Sequence, residues 1–116
     1  MFSEEFIQVS TTFNKKEEAE AASKFLVKKR IAACVQIIGP ISSTYYWKGN
    51  LETTTEWLCL IKSKKEFFNI IEKYIEKLNS YETPELIATP IIAGSKEYLA
   101  WIKKEINFEK KRKIKQ

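Results

Sequence analysis

The run Tyr81-Glu82-Thr83-Pro84-Glu85 gathers the side chains best suited to chemistry. Paired carboxylates on a loop can hold a cation through oxygen, and the adjacent phenol adds a hydrogen-bonding group. Glu82 and Glu85 alone fall short of the roughly six to eight oxygens of a calcium shell, so they are weak metal candidates. The competing reading is structural, with Glu85 paired to a basic side chain such as Lys62 across an interface. The residues themselves leave both open. Other chemistry is poorly supplied. Histidine is absent, which removes the commonest general base and transition-metal ligand. Cys34 and Cys59 stand far apart, in neither a CxxC nor a zinc spacing, and each sits in an apolar strand context. Ser10, Thr11 and Thr12 have no neighbouring group to activate them, and no glycine-rich phosphate loop or HExxH occurs. The chain reads as a non-enzyme with no certain cofactor.

A second group is aromatic. Tyr45, Tyr46, Trp47 and Trp57 lie on two β-type runs, residues 41–62, joined at Lys48-Gly49-Asn50. Such rings could stack nucleobases, but residues 56–63 lack the basic-Gly-aromatic pattern of RNA-recognition sheets, so no nucleic acid is expected. Interface packing fits better, since Tyr and Trp are enriched at interface hot spots. Length argues the same way. With residues 34–38 the first arm approaches fourteen residues, or roughly 45 Å when extended. A compact chain of this size has a radius of gyration of about 13–14 Å. The hairpin must therefore bend, plausibly at Gly39-Pro40, or project toward a partner, most simply another copy.

The remaining elements position these groups. Residues 6–12 read as a strand. Asn14 with Glu17 suggests a capping box opening a helix that buries Ala19, Ala22 and Leu26, with basic residues 28–30 at its C-terminal end. Ser63 with Glu66 suggests a second box, opening a helix with Phe67, Ile71, Tyr74 and Leu78 on its core face. Residues 79–85 form a loop because Thr83 precedes proline. Residues 86–93 read as a strand, at an edge or bulged by Pro90. Gly94-Ser95 then turns into a helix over 96–106 with Leu99, Ile102 and Ile106 inward. The order is βαββαβ plus a terminal helix: an α+β, ferredoxin-like sandwich with a long hairpin between its second and third strands.

The totals suit one domain, residues 1–106. The chain has 116 residues, is 44% apolar and carries a net charge of +5. Residues 107–116 hold five basic residues and one acid. That tail accounts for nearly all the net charge and is expected to be solvated and disordered. No apolar run reaches the roughly 18 residues of a membrane span. The acidic start enters a strand at once, unlike a signal peptide, so a cytoplasmic location is expected.

Five motifs carry a family. Ile31-Ala32-Ala33-Cys34-Val35, Tyr45-Tyr46-Trp47-Lys48-Gly49, Leu60-Ile61-Lys62, Tyr81-Glu82-Thr83-Pro84-Glu85-Leu86-Ile87 and Tyr98-Leu99-Ala100-Trp101 occur in matching order and spacing. Over most of its length the chain resembles the CutA divalent-cation tolerance proteins. The resemblance implies a homotrimer of ferredoxin-like subunits, similar to the PII signalling trimers, with hairpins pairing between subunits. It implies tolerance of copper and other divalent metals. On that reading Tyr45, Tyr46, Trp47 and Trp57 form the trimer interface. The alternative is a PII-like sensor in which an intersubunit cleft lined by Lys62, Tyr81, Glu82 and Glu85 binds a small anionic or zwitterionic metabolite. Metal-binding relatives carry a thiol and histidines where this sequence has Ser10, Leu78 and Asn79. A divalent cation such as copper is therefore expected to bind weakly.

Overall fold

The computed structural model describes residues 1–108. Its elements are β1 (Phe6–Phe13), α1 (Lys16–Lys28), β2 (Cys34–Trp47), β3 (Asn50–Lys64), a 3₁₀ turn (Lys65–Phe67), α2 (Phe68–Leu78), β4 (Ile87–Pro90) and α3 (Lys96–Glu105). They form the expected α+β arrangement around one antiparallel sheet of order β2-β3-β1-β4. Period-two patterning decides which side is buried. Val9, Thr11 and Phe13, with Cys59, Ile61 and Ser63, turn inward and are buried. Leu26, Ile71 and Ile75 join them, and each fully buried leucine or isoleucine contributes about 1.5–3 kcal/mol. On the opposite side, Leu58, Leu60 and Lys62 stay half-buried, and Ile38 and Ile87 are exposed.

Helix 1 buries Ala19, Ala22 and Leu26 as the spacing predicts. Its capping box does not form. The N-cap is Lys15, without a side-chain cap. Asn14 is engaged elsewhere: its Oδ1 accepts from the Ser80 hydroxyl at 3.1 Å. The second box fails for a related reason. Pairing with β1 carries β3 on to Lys64, so Ser63 is strand. Its hydroxyl donates to the buried Ile31 carbonyl at 2.6 Å, and leaving such a carbonyl unpaired would cost about 1–3 kcal/mol. In both cases a tertiary hydrogen bond outcompetes a local one. On α2, Ile71 and Ile75 are the buried residues. Tyr74 is half-buried and sits edge-on to Phe25, ring centroids 4.9 Å apart. The strand expected over 86–93 shortens to four edge residues, where Pro90 removes no interior ladder bond. Helix 3 is capped by Ser95, whose oxygen accepts from the Tyr98 amide at 3.2 Å. Leu99, Ile102 and Ile106 are buried.

The hairpin both bends and projects. Its register slips between Ile38 and Ile41, at Gly39-Pro40. The turn places Lys48 at φ 51° and Gly49 at φ 84°, the paired positive angles of a tight hairpin turn. Asn50, expected in the turn, is already strand and pairs with Trp47. Beyond the slip the arm pairs with itself alone. The radius of gyration is 15.2 Å and the longest extent 46 Å, more elongated than the roughly 13–14 Å of a compact chain this size. At the other end, Phe108 packs edge-on against Phe67, centroids 6.4 Å apart. Packing therefore reaches past the expected boundary at 106. The rest of the basic tail, residues 109–116, lies outside the described residues.

Candidate functional site

Asn79 sets the geometry of the 79–86 loop. Its side chain is buried, Nδ2 donating to the Thr12 carbonyl at 2.8 Å and Oδ1 accepting from the Tyr81 amide at 2.9 Å. The second bond closes an Asx-type turn, and the first ties it to the end of β1. Ser80 reinforces the anchor, its amide donating to Glu18 Oε1 at 3.3 Å and its hydroxyl to Asn14. The chain then runs beside the projecting half of the hairpin. Between loop and arm lies a cleft of about 680 Å³, with Tyr81, Glu82 and Glu85 on one wall and Tyr45, Trp47 and Glu56 on the other.

Two polar groups of this cleft lie close together below its surface. Glu56 is only 6% exposed and forms no ion pair within 4 Å among the described residues. The Tyr81 hydroxyl is fully buried and makes no hydrogen bond of acceptable geometry. Burial foremost, and then the nearby Glu56 carboxylate, hold the Tyr81 phenol well above its ordinary range. It stays protonated and available as a donor. The only ion pair at the cleft among the described residues is Lys48 to Glu82 at 3.8 Å, with both side chains mostly exposed. Such surface pairs contribute about 0–1 kcal/mol.

The structure brings together Tyr81, Glu82 and Glu85 but places Lys62 elsewhere. Its ammonium donates to Gln36 Oε1, and the residue pairs with Gln8 and Cys34 in the sheet. Ser10 lies across from Leu60 and Ile87 and does not line the cleft. Asn79, at a position where metal-binding relatives have histidine, is committed to the loop. Among the described residues no group of three Cys, Asp or Glu is arranged to hold a metal ion. Cys59 is buried, which raises its thiol pKa, with a weaker opposing contact from Ser23. It is inert. Tyr45, Tyr46 and Trp47 are exposed on the arm, whereas Trp57 turns inward over Gly39 and packs on its own core. Sequence reasoning missed Glu56. The signal was partial: on a strand of period two Glu56 shares the face of Leu58, Leu60 and Lys62, opposite to Cys59 and Ile61.

The sequence model of the CutA1 divalent ion tolerance protein family matches residues 7–105. The chain belongs to that family. The divalent-cation tolerance protein CutA of Archaeoglobus fulgidus is 42% identical over 86 residues, 74% of this chain and 83% of that protein. The rice chloroplast protein CutA 1 is 33% identical over 84% of this chain, which spans only 55% of its length. Among solved structures, CutA from Xylella fastidiosa superposes with TM-score 0.86 at 37% identity, over 90% of this chain and all of that one. The periplasmic divalent cation tolerance protein CutA from Archaeoglobus fulgidus gives TM-score 0.85 at 36% identity, over 88% and 99% of the two chains. The CutA1 match ends one residue short of buried Ile106 and takes in both walls of the cleft. No helix among the described residues is long and apolar enough to cross a membrane.

Proposed function

We propose that this CutA1 member is a homotrimeric binding module serving tolerance of divalent cations. The projecting arm carries the reading. Tyr46 is 74% exposed and Leu51 63%, on the outer halves of β2 and β3, which among the described residues pair only with each other. Large exposed apolar groups on a free edge are a liability that association removes. The open sheet face supplies a second apolar area through Ile38, Leu58, Leu60 and Ile87. A ring closed by head-to-tail contacts satisfies every copy alike, and family membership supports three. Light scattering at micromolar concentration tests this, with a trimer mass expected; a well-folded monomer refutes it.

Copper is the metal the family reading favours, held weakly here because only Glu82 and Glu85 remain as candidates and oxygen is a poor match for copper. Calorimetric titration with Cu(II) is expected to show weak binding. Tight binding abolished by changing both glutamates overturns that expectation. We read the module as non-catalytic: its cleft offers a phenol held protonated, carboxylates and serine and threonine hydroxyls, with no histidine or thiol in its lining to activate them. Free Cys34 and Cys59 fit a reducing, cytoplasmic compartment; recovery in a periplasmic fraction, where the name of one relative places that protein, counts against it.

A second reading, a PII-like sensor binding a small metabolite, is favoured by one observation. The cleft is of ligand size and is lined by Tyr81, whose buried hydroxyl has no hydrogen-bond partner of good geometry. A metabolite that raises the melting temperature when copper does not supports this reading over the first.

A further inference from the structure

We propose that the end of the sheet opposite the hairpin arm, together with the basic residues that follow Phe108, docks on the surface of an anionic lipid bilayer. The proposal goes beyond the cation-tolerance reading and uses neither the cleft nor the arm.

The place follows from the strand ladder. Strand β3 runs from Asn50 at the arm tip to Lys64, and Lys64 pairs with Phe6 at the start of β1. That end of the sheet is thus the whole length of β3 away from the tip. Two shallow grooves meet there at Lys103. One has Met1, Phe2, Lys65 and Lys96 in its lining, and the other has Lys64, Phe67 and Lys104.

Positive charge is left over after local pairing. Five lysines line the two grooves against the three glutamates Glu4, Glu5 and Glu66, a net +2. Lys64 is held by Glu5 at 3.4 Å and Glu66 at 3.0 Å, and Lys103 stands 3.9 Å from Glu5. Lys65, Lys96 and Lys104 are exposed and form no ion pair among the described residues. Phe108 fixes where further charge begins, since its ring packs on Phe67 in the second groove. The residues after it hold five basic groups and one acid, a net +4. This end therefore carries +6 in a chain whose total is +5, and the remainder is slightly acidic.

A molecule polarised in this way is steered toward a surface of opposite sign. The apolar side chains decide which surface. Phe2 is 84% exposed and Met1 69%, and both line the groove that holds Lys65 and Lys96. Apolar groups standing among lysines match the headgroup layer of a bilayer, which accepts both. A nucleic acid is better served by the planar forks of arginine, and every basic residue of this end except Arg112 is lysine. Clusters of about four to eight basic residues are enough to favour anionic lipid.

The test is co-sedimentation of the full chain with vesicles of phosphatidylcholine, alone or mixed with phosphatidylserine, at about 0.1 M salt. Binding is expected to the mixed vesicles only, and to weaken as salt is raised. Changing Lys65 and Lys104 together to glutamine is expected to weaken it by about tenfold or more, each cation near such a surface being worth about fivefold. Phe2→Ser is expected to weaken it by about tenfold. Lys15→Gln with Lys16→Gln removes the same charge beyond the other end of β1 and is expected to change binding less than about twofold. If the Lys65 and Lys104 variant does not fold, glutamine at Lys110, Lys111 and Lys113 carries the test, with a still larger loss expected. Equal losses from the two lysine pairs overturn the location, as does binding that ignores Lys65 and Lys104. A Phe2→Ser protein that binds like the wild type overturns the bilayer assignment. A DNA duplex bound more tightly than the mixed vesicles in the same buffer makes the partner a nucleic acid and overturns it too. Sedimentation with neither vesicle, or equally with both, overturns the proposal as a whole.

Discussion

Replacing Gly39 with alanine attacks the point where the arm leaves the domain. A Cβ at Gly39 would lie 2.4 Å from Cδ1 of Trp57, 2.9 Å from Cγ and 3.0 Å from Nε1. Carbon atoms rest at about 3.5–4.0 Å, so the indole must retreat by roughly 1 Å. Trp57 is not free to do so, because it packs against the core and stands opposite Phe13 in the sheet. Overpacking of this kind costs about 1–3 kcal/mol. That is a sizeable part of the roughly 5–15 kcal/mol that holds a domain together. Urea unfolding at fixed protein concentration should show a lower midpoint with an unchanged slope. The mechanism is isolated by repeating Gly39→Ala in a Trp57→Leu background, where the clash is gone and the cost should fall below about 0.5 kcal/mol. Equal costs in the two backgrounds would refute the steric account, as would a Gly39→Ala protein within about 0.5 kcal/mol of the wild type.

Other expectations are more local. Asn79→Ala removes bonds to Thr12 and Tyr81 at once; a loss of about 1–3 kcal/mol is expected, with faster proteolysis in the 79–86 loop as the second readout. The Tyr81 phenol is raised in the fold, so the native state keeps that proton longer than the unfolded chain. Stability from this group is intact below about pH 10, the unfolded tyrosine value, and is lost as pH rises beyond it. Ultraviolet titration of the wild type minus Tyr81→Phe should isolate one late-ionising phenol, and an ordinary midpoint there would contradict the burial. Trp47→Ala, on the exposed arm, should weaken assembly more than Lys73→Ala on the outer face of α2, as read by light scattering on dilution. Equal dissociation would remove the arm from the interface.

Patterning that reports burial was legible, and patterning that depends on a distant partner was not. Ala19, Ala22 and Leu26 follow from helical spacing alone, because a buried stripe needs no knowledge of what covers it. The hairpin was equally plain. Asn14 and Ser63 misled because each carries a local capping signal, but a better partner arrives from Ser80 and Ile31 respectively. The cleft was half legible. Tyr81, Glu82 and Glu85 share one short run, so sequence proximity gathers them. Glu56 comes from the arm, and only tertiary folding brings it opposite. Lys62 was grouped with the loop by family resemblance, and within a single chain the sheet carries it to a different place. Asn79 appeared as a lost metal ligand, and its use is the anchoring of the loop.

The ladder between β2 and β3 also bears on how the molecule assembles in time. Trp47 and Asn50 pair across the tip, and each following pair is next to the last until Gly39-Pro40 interrupts the run. Every step closes a short loop, so little chain entropy is lost at once. Contacts of β1 with β4 differ, joining Ile7 to Pro90 from nearly opposite ends of the chain. Nucleation from the tip and late docking of the edge strand follow. In rates that do not depend on protein concentration, Thr44→Ala, which breaks the Thr44–Thr53 hydroxyl contact at 3.1 Å, should slow folding. Thr89→Ala, on β4, should mainly hasten unfolding. Kinetics with those two effects exchanged would place the nucleus at the other end of the sheet.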